Sequence, residues 1–517
     1  MAQWNHGYVT DVVYTSNFYR ETTPAWLATT ALLLGHRPPS LSAPFRYADL
    51  GCGNGFTALT VAATSPQAEV WGFDFNPAHI ETARNLADRA GLTNVHFAEA
   101  SFAELAALPP SGLPELDFIV SHGVASWISP ENRHHMLEVI RQRLRPGGLA
   151  YVSYNVTTGW GSMVPLRALM RMLTEYSPTR VDQAAIEALD MIDRLKTAGA
   201  LFFPANPTLD QRLNDLRRQD PRYLAHEFLN QDWHPLMFAE VEAEMAECKC
   251  SYIGSATLTE NIDAASVPQA MVPVLAETRD PVLRETLRDF ACGQAFRRDL
   301  YRRGVAPLPS GEHRAMLDAL VIAATGVTPP TPITFSTAIG TITGRQDIYQ
   351  PIHDRLQLGP ASVRDLQSAP PFVDRQPVEL LQAVSLMIAG GYAHPVLPDG
   401  EAEGTRRSVL AVNRAVAEIN AGGGDLAQVV VPLLGSSIQL DLVETLLLGE
   451  LLANQPAEAD QLASSLVALL ERGGRTMQRD GKPLTDRAEA RQMATDLARQ
   501  FLDNRVPVLR RLGVLDG

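Results

Sequence analysis

The stretch Tyr47–Asn76, YADLGCGNGFTALTVAATSPQAEVWGFDFN, constrains the fold more than any other part of the chain. A short apolar run ends at Asp49, and Gly51, Gly53 and Gly55 follow at alternate positions. A helical pattern then runs from about Thr57 to Thr64, and a second apolar run, EVWGFDF, carries Asp74 at its end. Strand, glycine turn, helix and strand make a βαβ unit, whose ligand crevice lies at the carboxyl ends of its strands. Glycines let the backbone approach a ligand closely, because no Cβ intervenes and positive φ costs little. An acid closing the second strand is placed to accept both hydroxyls of a ribose. A dinucleotide fingerprint wants G-x-G-x-x-G to hold a pyrophosphate. Here the run is G-x-G-x-G after Asp49, and Asp74 lies 19 residues beyond Gly55. An acid just before the glycines repels a pyrophosphate and suits a cationic amino acid.

This run resembles motif I, D/E-x-G-x-G-x-G, of the class I S-adenosylmethionine (SAM) methyltransferases. The resemblance implies an α/β, Rossmann-like, seven-stranded methyltransferase domain with SAM as its cofactor. The glycines would pass under the methionine and ribose portions, and Asp74 would bind the ribose. Cofactor-side candidates are Tyr14, Asp49, Gly51, Gly53, Gly55, Asp74, Phe75, Ser101, Phe102 and His122. The family places an Asp for the adenine amino group after its third strand. Here NVHFAEA ends at Ser101–Phe102, and a hydroxyl takes that position.

The chain of 517 residues is too long for one core, and roughly three domains is the prior. A net charge of −14 argues against a general nucleic-acid binder and is compatible with a basic acceptor. Four scattered cysteines, without a CxxC pair, fit a reducing compartment and no metal site. The N-terminus lacks a signal pattern, and no uncharged apolar run of about 18 residues appears. The expected location is cytoplasmic, without membrane insertion.

Taken in order, Tyr8, Tyr14, Ser16 and Phe18 lead into a helix, TPAWLATTALLLG, opened by Thr23–Pro24 and stopped by Gly35. This aromatic lead-in either lids the crevice or packs against the sheet. PAHIETARNLADRAGL is the next helix, with Ile80, Ala83, Leu86, Ala87 and Ala90 on its apolar face. LDFIVS is the fourth strand, and the HGVASWI loop after it offers His122 and Trp127 as acceptor-side candidates. RPGG reads as the stop and turn before the fifth strand, whose end presents Tyr154 and Asn155 to the crevice.

HGVASW, AYVSYN and GW are similar to bacterial protein lysine methyltransferases that carry a methyltransferase regulatory domain, including enzymes acting on rickettsial outer-membrane proteins. RYLAHEFLNQDWHPLMFAEV and SYIGSATLTENID resemble the regulatory segment of that family, and VVYTSNFYRETTP its N-terminus, with Thr23 where the family carries a histidine. The expected divisions are a SAM-binding domain over 1–160, a helical insertion over 161–220 and a regulatory segment over 221–304. A winged-helix-like domain over 305–402 and a helical domain over 403–517 follow. CSYIGSATL and FRRDLYRRG read as strands six and seven, so the regulatory segment completes the catalytic sheet, and a cut at 160 leaves an open edge.

Methyl transfer is an in-line displacement in which the protein positions and desolvates. A lysine acceptor, whose amine in water titrates near about 10.4, must first lose a proton. Trp127 and Tyr154 would desolvate it, and Tyr154, Asn155 or His122 would orient the neutral amine. Tyr154→Phe is expected to spare cofactor binding and lower transfer. A protein substrate, such as an envelope protein, and a homodimer contact in the insertion are the expected partners. The competing readings are a small-molecule N- or O-methyltransferase and a SAM-binding regulator with little turnover.

Overall fold

The computed structural model describes residues 18–177, 179–219, 230–304, 307–400, 402–454, 458–479, 482–484 and 486–516. The N-terminal lead-in up to residue 17, with Tyr8, Tyr14 and Ser16, lies outside the described residues.

After helix α1 (Pro24–Leu33) the chain enters β1 (Arg46–Leu50), α2 (Phe56–Thr64), β2 (Glu69–Asp74), α3 (Pro77–Arg89), β3 (Val95–Glu99) and α4 (Phe102–Ala107). Then come β4 (Leu116–Ser121), α5 (Pro130–Arg143) and β5 (Leu144–Asn155). RPGG lies inside β5 rather than before it, because α5 passes directly into extended chain at Leu144. Two strands arrive much later, β6 (Cys250–Ser255) and β7 (Phe296–Arg303). The sheet order is β3-β2-β1-β4-β5-β7-β6. β1 to β5 are parallel, and β7 runs antiparallel between β5 and β6. β4 is buried along its whole length, as a strand covered on both faces must be, and its Asp117 accepts from Arg46 N at 2.7 Å.

On one face β4 and β5 pack with α4, α5 and the helix Phe238–Glu247. The other face carries α1, α2 and α3, and this core runs without interruption into the C-terminal half, through Ile322, Phe335, Leu380, Val412 and Val416. The helix Glu403–Ala421 packs directly on α2 and α3, the two helices that follow the glycine loop and Asp74. Small residues on those helices, Ala58, Ala62 and Ala83, allow the close approach. The insertion after β5 has a core of its own around Met170, Ile192 and Leu213. The last helices enclose another, around Leu447, Leu466 and Phe501.

Between residues 305 and 402 the helices Val363–Gln367 and Pro377–Ala389 stand beside a three-stranded antiparallel sheet. Its middle strand, Val321–Ala324, comes from before the helix pair, and Ala361–Ser362 and Ala393–Pro395 flank it. A winged helix takes that middle strand from after the pair, so this segment shares the helix–turn–helix and differs in strand connection.

The described residues contain no helix long and apolar enough to cross a membrane and no cluster of His, Cys, Asp and Glu arranged to hold a metal ion.

Candidate functional site

The glycine loop is tied to the end of β2. Gly51 N and Cys52 N both donate to Phe73 O, at 2.8 and 2.9 Å. Gly51 has φ +83°, and a Cβ there would stand 2.5 Å from Val124 Cγ2, so only glycine lets the loop after β4 close against it. Gly53 has φ +53°, and a Cβ there would meet nothing within 4 Å. The backbone is therefore bare and approachable at this point.

Two carboxyl groups flank that opening. Asp74 Oδ2 accepts from Gly53 N at 2.9 Å, and Oδ1 accepts from Asn76 N at 2.9 Å with His79 Nδ1 at 3.2 Å. Asn76 in turn caps α3, accepting from Ala78 N at 3.0 Å. Asp74 thus fixes the loop and the next helix to one point. Asp49 is 6% exposed, and its carboxyl forms no hydrogen bond or ion pair among the described residues. Burial, and after it the charge of Asp74, pushes its carboxyl up to about 7. A buried carboxyl without a partner is costly when ionised, and a cation placed beside it removes that cost.

At the end of β3, Ser101 caps α4. Its Oγ accepts from Glu104 N at 3.3 Å and donates to Glu104 Oε2 at 2.8 Å, and Ser101 N donates to the same oxygen at 2.8 Å. The S-x-x-E capping box was readable in SFAE, and it supplies a residue that the strand pattern alone missed: Glu104 brings a carboxylate to this strand end. Phe75 and Phe102 are half-buried beside the two strand ends, and Phe102 packs on the β4–β5 core. Tyr14 lies outside the described residues.

His122, directly after β4, is enclosed by aromatic rings. Tyr19 stacks on it with centroids 3.6 Å apart, Phe296 meets it edge-on at 5.7 Å, and Tyr151 Oη lies 2.7 Å from its Nδ1. Burial, then the charge of Arg298, lowers its pKa to about 3, so the imidazole is neutral at ordinary pH. Ser153 Oγ accepts from Gly123 N at 2.7 Å and holds the loop in place. Tyr19, Tyr151, Ser153, Phe296 and Arg298 were all missed. Strand alternation back from Asn155 points to Ser153 and Tyr151, and the register sets Arg298 opposite Ser153 and Phe296 opposite Asn155.

That alternation also corrects Tyr154. Neighbours on a strand face opposite ways, so Tyr154 cannot share a face with Asn155 and Tyr151. Its hydroxyl donates to Asp299 Oδ2 at 2.6 Å, within a buried ionic cluster behind the sheet. There Arg297 Nη1 donates to Asp289 at 2.6 Å, Nε to Asp299 at 2.9 Å, and Nη2 to Glu285 at 3.1 Å. Tyr154 is an anchor of the β5–β7 pair and does not join His122. Asn155 is buried, with its Nδ2 lacking an acceptor, and its N–H donates to Ser126 Oγ at 2.8 Å. Trp127 packs near Trp233 at 6.1 Å, and Trp233 meets Trp160 edge-on at 5.4 Å, so the loop after β4, the short helix Thr157–Trp160 after β5 and the segment before the helix Phe238–Glu247 share one indole wall.

The comparisons agree with this geometry. A "methyltransferase domain" family profile matches residues 48–148, and a "predicted methyltransferase regulatory domain" profile matches residues 220–303. An uncharacterised protein of Synechocystis is 34% identical over 511 residues, covering 99% of both chains. An uncharacterised protein of Rickettsia prowazekii is 30% identical over 43% of this chain and 86% of its own. Among solved structures, PKMT2 of Rickettsia typhi in complex with AdoHcy superposes with a TM-score of 0.70 over 98% of this chain and all of that one, at 19% identity, which shows a common fold.

Proposed function

Because the chain belongs to the class I SAM-dependent methyltransferases that carry a methyltransferase regulatory domain, we propose that it methylates lysine side chains of a protein acceptor. The cofactor-side residues fit SAM. Asp74 stands where a ribose needs an acceptor, Gly53 leaves the backbone bare, and Asp49 is a buried carboxyl awaiting a cation. When bound, SAM supplies a methyl group on a sulfonium, an electrophile that needs no activation by the protein.

The observation that carries the lysine reading is the enclosure of a neutral His122 by Tyr19, Tyr151 and Phe296. Such a wall suits an alkyl stem; burial there costs an ammonium its hydration, against the attraction of the ring faces for a cation, and the amine that reacts has given its proton to solvent. His122 and Asn155 are the polar groups available to orient it. The likeness to PKMT2 along the whole chain, C-terminal half included, supports the same reading through the fold.

The test is transfer of tritiated methyl from SAM to fractionated cell extract, envelope proteins included, with Asp74→Ala as control. The expected result is an alkali-stable protein band that yields methyl-lysine on hydrolysis. Alkali-labile label, or label in small molecules alone, would overturn the reading.

A further inference from the structure

β7 carries adjacent arginines on its two faces, and they are treated differently. Arg297, on the face of Tyr154, is matched by Glu285, Asp289 and Asp299. Arg298 lies opposite Ser153, on the face of His122 and Tyr151, at the carboxyl end of the parallel strands. Its Cζ sits 5.1 Å over the ring of Phe296, which is 5.7 Å from His122. Nη1 donates to Thr257 Oγ1 at 3.3 Å, and Nε is buried without an acceptor. Among the described residues no carboxylate lies within 4.0 Å of this guanidinium.

The groups around it do not cancel that charge. Glu21 is tied to Arg20 at 3.6 Å. Glu260 accepts from Ser255 Oγ at 2.6 Å and Gln294 Nε2 at 2.7 Å, and burial raises its pKa. Burial raises the Tyr151 phenol well above its ordinary value and keeps His122 neutral, so neither supplies a countercharge. Asp49 stands three strands away on β1, with β4 and β5 between.

We propose that Arg298 keeps the acceptor amine neutral: its charge, unpaired among the described residues and fixed beside the aromatic enclosure of His122, disfavours an ammonium there and raises the fraction of lysine with a free lone pair. This rests on the lysine reading above. An amine that leaves water and meets a like charge loses basicity on both counts. It gives its proton to solvent, its lone pair forms the N–C bond as the C–S bond breaks, and that bond's electron pair stays on sulfur. The alkylated nitrogen then carries the positive charge, and Arg298 repels it toward solvent.

The test compares full-length wild type with Arg298→Gln and Arg298→Lys, using the envelope-protein fraction as acceptor. Methyl-lysine in the hydrolysate is followed under single-turnover conditions between pH 6.5 and 10, and SAM affinity is measured by calorimetry. With Arg298→Gln the rising limb should move up by about one pH unit, with rates converging to within about threefold above it. Arg298→Lys should keep the limb in place, and SAM affinity should not change. Superimposed profiles would overturn the proposal, as would a uniform loss of rate without a shift, which marks an anchor for an acceptor carboxylate. Weaker SAM binding would overturn it too, placing Arg298 on the cofactor. Absence of methyl-lysine from the wild-type hydrolysate would instead bring down the lysine reading itself, before any variant is compared.

Discussion

Asp74→Ala removes the acceptor of the Gly53 and Asn76 amides and, on the reading proposed above, of a ribose hydroxyl. The loss of a charge-assisted contact, ~1.5–3 kcal/mol, should weaken SAM binding at least tenfold by calorimetry. Asp49 makes a different prediction. Its carboxyl is raised from 3.8 to about 7, so in the ligand-free protein it contributes stability in full below about pH 4 and loses it as pH rises through 7. A cationic ligand beside it should drive the proton off. Calorimetry in buffers of different ionisation enthalpy should find most of a proton released per SAM at low pH and progressively less as pH rises through about 7; no buffer dependence at low pH would show that Asp49 does not meet the cation. Tyr154→Phe should lower stability by ~1–3 kcal/mol in urea unfolding, because Asp299 loses a buried donor, while turnover per folded molecule holds. The strand–glycine loop–strand geometry was legible because Asp49, the glycines and Asp74 are contiguous with their strands. The acceptor side was not, since Tyr19, Tyr151 and Arg298 meet at His122 from three separate parts of the chain.

Elements were more legible than side chains. β6 and β7 could be named because SYIGS and FRRDLYRR alternate and the sheet lacked two strands. Their pairing is held from behind by Arg297 and its three carboxylates, which the pattern alone cannot reveal. A fragment 1–160 should therefore aggregate and fail to bind SAM, as β5 would present its whole edge; a soluble, SAM-binding fragment would contradict this. The segment over 305–402 shows the limit of pattern reading. Helix, turn, helix and strand were visible, but pairing of the middle strand with two distant partners is a non-local choice.

At the scale of the molecule, the two halves share one core. The helix Glu403–Ala421 lays Val409, Val412 and Val416 against the layer that supports α2 and α3. Val412→Ala with Val416→Ala should cost about 1.5–3 kcal/mol for each site and weaken SAM binding as well, because the glycine loop stands on α2. A fragment 1–304 that is monomeric and binds SAM like the full chain would show the C-terminal half to be a passenger. This continuity was hidden from the sequence, which suggested a separate domain beginning at residue 305.

The order of the sheet also bears on how the protein is made. β5 ends at Asn155 and β7, its neighbour, begins at Phe296. A ribosome adding ~5–20 residues per second needs roughly 7–30 s to cover that interval, with five strands already available to pair and one edge unsatisfied. Yield in a cell should then depend on what shelters the nascent chain over this window. Slow codons placed between residues 156 and 295 should lower soluble yield, and equally slow codons after residue 303 should not.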